Sequence, residues 1–73
     1  MDIKISRHAK RRIKLYNIPE EKIFQIITAA QPHRGKQTIV KKIIGYSYPV
    51  KIIFELSDNQ LIVITCYPLK RGV

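Results

Sequence analysis

Apolar residues fall at helical spacing in the first part of the chain and at alternating spacing in the last part. This split predicts an α+β domain, with two N-terminal helices packed on one face of a three- to four-stranded antiparallel sheet. Residues 2 to 5 read as a short edge strand. Ser6 suits the cap of a first helix reaching about residue 16, since its hydroxyl can accept from a free first-turn amide. On that helix Ala9, Ile13 and Tyr16 form a narrow apolar stripe, while Arg7, Lys10, Arg11 and Lys14 form a wholly basic opposite face. His8 and Arg12 lie between the two faces, one turn apart, where a side chain can be half buried and still reach a cleft. Pro19 suits the first position of a second helix; Glu20 and Glu21 complement its dipole, and Ile23, Ile26, Ile27 and Ala30 make its buried stripe up to Gln31-Pro32.

After the polar loop His33-Arg34-Gly35-Lys36, strands are predicted near 38 to 48, 50 to 56 and 61 to 67, with Gly45 and Pro49 marking a bulge or an edge. The apolar residues of the first of these, Ile39, Val40, Ile43 and Ile44, choose no single face. A two- or four-residue loop around Ser57-Asp58-Asn59-Gln60 pairs Leu56 with Leu61 in either case. Strict alternation from that pair puts Val50, Ile52, Phe54 and Leu56 on the helix-facing side with Leu61, Val63, Thr65 and Tyr67. The other side then carries Ile53, Ile62, Ile64 and Cys66 beside Lys51 and Glu55, enough apolar surface to suggest a subunit or partner contact.

A chain of 73 residues is one domain, near the lower size limit for a core without disulfides or metal. The lone Cys66 has no partner in the chain and argues for a reducing, cytoplasmic setting. No apolar run approaches the roughly 20 residues of a membrane span, so no membrane role is expected. The formal net charge of +9 biases the chain toward a polyanionic partner such as nucleic acid, an acidic protein or an anionic membrane surface, and charge alone does not choose among them.

Phosphate-binding loops, dinucleotide-binding glycine fingerprints, zinc-spaced Cys/His clusters and paired carboxylates are absent, so no metal or cofactor is expected and metal-free acid-base chemistry is the remaining class. The helix wheel and the hairpin alternation send His8, Arg12, Thr65 and Tyr67 toward one region. Ribonucleolysis would use His8 as base or acid, Arg12 on phosphate charge, Thr65 on a phosphate oxygen, and Tyr67 as second proton donor or orienter. Lys70, Arg71 and the basic helix face would hold flanking phosphates.

His8-Ala9 with Arg12-Ile13, then Ile18 before a helix, and Ile64-Thr65-Cys66-Tyr67 near the end give a pattern spanning nearly the whole chain. It resembles the small bacterial and archaeal domain-of-unknown-function family with an H-A-x-x-R start and a V/I-T-x-Y end. That family is similar to the metal-independent toxin ribonucleases that include RelE, barnase and colicin nuclease domains. The resemblance implies a RelE-like fold, a toxin-type endoribonuclease cleaving RNA by 2′-hydroxyl attack, and an acidic antitoxin partner, with His8, Arg12, Thr65 and Tyr67 as the motif residues. Tyr16 departs from the pattern, which has a second arginine before the short turn. The alternative is a noncatalytic basic RNA- or protein-binding module, and a third class is a regulatory protein that dimerises through the isoleucine-bearing sheet face.

Overall fold

The computed structural model describes residues 2 to 69. In chain order these form β1 (Asp2–Ile5), α1 (Arg7–Leu15), α2 (Glu20–Ala30), β2 (Gly35–Lys41), β3 (Val50–Ser57) and β4 (Gln60–Pro68). The α+β class and the N-terminal helix pair stand, but the sheet is mixed rather than antiparallel. Its order is β1-β4-β3-β2, and β1 lies parallel to β4 while the other neighbours are antiparallel. A parallel neighbour requires a long crossover, and both helices and two strands provide it here.

α1 begins where the wheel and the cap predict. The Ser6 hydroxyl accepts the Ala9 amide at 3.0 Å, and Ala9 and Ile13 are buried. It ends at Leu15, closed by Asn17 in the left-handed region (φ 55°). The Ile18 amide bonds the Ile13 carbonyl, the Asn17 amide bonds the Lys14 carbonyl, and buried Ile18 joins Ile13 in the core. Pro19 is the cap of α2 rather than its first residue, and Glu20 and Glu21 occupy the first turn. Ile23 and Ile27 are fully buried, whereas Ala30 is exposed. The core packs these helix residues with Val50, Ile52, Phe54, Leu61, Val63 and Cys66.

β2 starts at Gly35 and stops at Lys41, short of the predicted extent to residue 48. Residues 42 to 49 leave the sheet because Ile43 turns into the core and Gly45 (φ 96°) reverses the chain behind it. The Tyr46 hydroxyl donates to the Asn17 carbonyl and fastens this loop to the turn between the helices.

The β3–β4 hairpin closes through Ser57 paired with Gln60 and Leu56 with Leu61, with Asp58 at φ 53° in the two-residue loop. Phe54 then pairs with Val63, but Ile53 pairs with Thr65, so Ile64 is an extra residue on β4. This bulge reverses the alternation beyond it. Cys66, opposite Ile52, enters the core, and Thr65 and Tyr67, opposite Ile53 and Lys51, go to the outer face. The expectation that Thr65 and Tyr67 face the helices, with Cys66 outside, is therefore corrected.

Burial pushes the Cys66 thiol up from 9.0 to about 11. The folded protein should resist a thiol reagent at pH 8 and react fully in denaturant; rapid native labelling would refute the bulged register. The native state holds a proton that the unfolded chain releases, so stability should fall as pH rises from about 9 to about 11.

Candidate nucleic-acid interface

α1 carries Arg7, Lys10, Arg11, Arg12 and Lys14 in nine residues, with no acidic residue in its first turn. Arg7, Lys10, Arg11 and Lys14 are exposed and Arg12 is half-buried. Local stability does not favour this arrangement. Arg7 opposes the positive end of the helix dipole, at a cost of about 0.3–1 kcal/mol, and the like pairs Arg7/Arg11 and Lys10/Lys14 each cost about 0.2–0.5 kcal/mol; only Arg12 and Lys14, in the last turn, complement the dipole. α2, by contrast, places its two first-turn glutamates where the dipole favours them. Among the described residues the only ion pair joins Arg34 to Asp58, so the α1 cations have no carboxylate partners there. A groove of about 490 Å³ runs between α1 and the start of α2, with Lys10 and Lys14 on one wall and Asn17, Pro19 and Glu20 on the other.

The expected catalytic set is divided between two layers. His8 is exposed on α1, and Arg12 flanks the buried stripe of the same helix. Thr65 and Tyr67 lie half-buried on the sheet face that the helices do not cover. Among the described residues no hydrogen bond links any of the four to another, so the convergence expected from strict alternation does not form. The bulge is the physical reason, since one extra residue exchanges the faces of everything after it.

One contact still ties the two layers together. The Ser6 hydroxyl, while capping α1, donates to the carbonyl of the bulged Ile64 at 2.9 Å, and the Ser6 amide donates to the Val63 carbonyl at 3.0 Å. The first turn of α1, which carries His8, is thereby fixed at the edge of β4, one residue before Thr65. β1 ends its pairing at Val63, so β4 extends past it along that edge.

Sequence reasoning missed Lys51. It is paired across from Tyr67, and its ammonium lies 6.0 Å from the ring centroid. The missed signal was Cys66, a residue type more often buried than threonine or tyrosine, at a position that strict alternation sends outward. Lys70 and Arg71, expected to hold phosphates, lie outside the described residues. Among the described residues no three His, Cys, Asp or Glu side chains gather as metal ligands, and no helix is long and apolar enough to cross a membrane.

No family model, curated protein or solved structure matches this chain.

Proposed function

We propose that this protein binds RNA, holding the phosphate backbone through Arg7, Lys10, Arg11 and Lys14. The observation that carries this reading is the exposed face of α1, which concentrates like charge against the helix's own stability and lacks carboxylate partners among the described residues. Evenly spaced cations on one helix face track phosphates without reading bases, so affinity should be steeply salt-dependent and largely indifferent to sequence. Titrating single-stranded RNA at several salt concentrations tests it, and a flat log-log plot would overturn it. The same face is the complement that an acidic antitoxin would need.

A second reading, metal-independent endoribonuclease of RelE-like toxin type, draws support from the Ser6–Ile64 contact, which ties the first turn of α1 to the residue before Thr65. An RNA substrate of this enzyme would have to reach both His8 on α1 and the hydroxyls of Thr65 and Tyr67 on the outer face. In this reading His8 or Tyr67 moves the proton of the attacking 2′-hydroxyl and the other protonates the leaving 5′-oxygen. RNA should then be cut in excess chelator, leaving a cyclic phosphate or its 3′-phosphate product, while DNA survives. His8→Ala and Tyr67→Phe should each slow cleavage about a hundredfold. Intact RNA after prolonged incubation with wild-type protein leaves the binding module as the function.

A further inference from the structure

We propose that the outer face of the sheet is a stacking platform for single-stranded RNA, with Tyr67 receiving a base and Lys51 the adjoining phosphate. The inference rests on the RNA-binding reading and extends it to a second surface and to a class of RNA.

Both helices contribute to the core on the other side, so no element of the described chain covers this face. The register lays out its cross-strand rows. One row is Val40, Lys51 and Tyr67; the next is Thr38, Ile53 and Thr65, with the extra Ile64 beside them. Two residues of rise separate the rows, about 6.7 Å. Lys36, Glu55, Ile62 and Lys4 form a further row, and Asp2 lies beyond it. The two acidic groups of this face therefore sit away from Tyr67, and the rows nearest the ring contain a cation, hydroxyls and apolar side chains only.

That composition suits an unpaired nucleotide. Stacking needs a flat ring over an apolar floor, and the phosphate needs a mobile cation nearby. Lys51 meets the second need because its contact with Tyr67 at 6.0 Å is a weak cation–π attraction that an arriving base can displace, freeing the ammonium for the phosphate. A duplex keeps its bases stacked inside, so it cannot use the ring. The bulge creates the platform: without Ile64, Tyr67 would turn inward and Cys66 outward.

The test compares Tyr67→Leu, Tyr67→Phe and wild type for binding to an unstructured oligouridine and to a duplex RNA of equal length, after circular dichroism has checked each fold. Stacking predicts that Tyr67→Leu loses at least fivefold on the single strand and nothing on the duplex, while Tyr67→Phe, which keeps the ring, binds the single strand as wild type does. Should Tyr67→Leu fail to fold, photo-crosslinking of wild-type protein to 5-iodouridine RNA decides, with an adduct on Tyr67 expected. Equal losses on both RNAs, no loss at all, or crosslinks confined to α1 would overturn the platform. So would a homodimer that masks this face in light scattering. The RNA-binding reading fails separately, if wild-type binding shows no salt dependence or if neutralising the α1 cations leaves binding unchanged.

Discussion

Replacing Arg7, Lys10, Arg11 and Lys14 together with glutamine is expected to cost several hundredfold in affinity for single-stranded RNA at 0.1 M salt while leaving the protein at least as stable as wild type. Each lost phosphate contact flattens the log-log salt slope by about 0.7, so four remove about 2.8. Ion-release contributions vanish near 1 M salt, and one decade below that the loss is about 2.8 powers of ten. The stability arm follows from the same residues. Neutral side chains remove the clash of Arg7 with the helix dipole and the like-charge pairs along α1, which together offset the favourable last-turn dipole contact of Lys14, and the four residues are exposed, so no packing is lost. Most charge-removing changes that weaken binding say little about why the charge was there. Here binding and melting temperature should move in opposite directions or the second not at all. A variant that binds with an unchanged salt slope would show that the RNA lies elsewhere.

How far the fold could be read from sequence depended on whether the signal was local. The α1 stripe, the Ser6 cap and the Leu56–Leu61 hairpin pair each follow from a few neighbouring residues, and each stands as read, α1 ending one residue earlier. The parallel pairing of β1 with β4 joins residues nearly 60 positions apart, such as Ile5 and Val63, and nothing within four residues of chain announces it. The candidate site failed at one residue. From Leu61 to Cys66 the strand is apolar at almost every position, so sliding it by one changes little in the hydrophobic pattern, and the pattern cannot locate a bulge. Gly45 and Pro49 carried the expected markers of irregularity, but the chain there forms a separate loop, and the bulge falls at an isoleucine with no such signature.

Ser6 holds that bulge in place, and substitutions at it should produce the largest loss of stability from a single side chain outside the core. Its hydroxyl accepts from Ala9 at the start of α1 and donates to the Ile64 carbonyl, which the extra residue removes from the regular ladder. Loss of an N-cap costs about 0.5–2 kcal/mol, and leaving a half-buried carbonyl without its donor costs about 1–3 kcal/mol. Ser6→Ala should therefore lose about 2–3 kcal/mol and lower the melting temperature by about 10–20 °C, a large share of the stability open to a domain of this length. Ser6→Asp separates the two roles, because an ionised carboxylate caps as well as serine but has no proton to give Ile64 and would face its carbonyl oxygen. It should fall between wild type and alanine, or below alanine if the two oxygens repel. Thermal melts of the three proteins decide the matter: Ser6→Asp equal to wild type would mean that the cap alone matters and that the bulge, with the outward Thr65 and Tyr67, is held by other contacts.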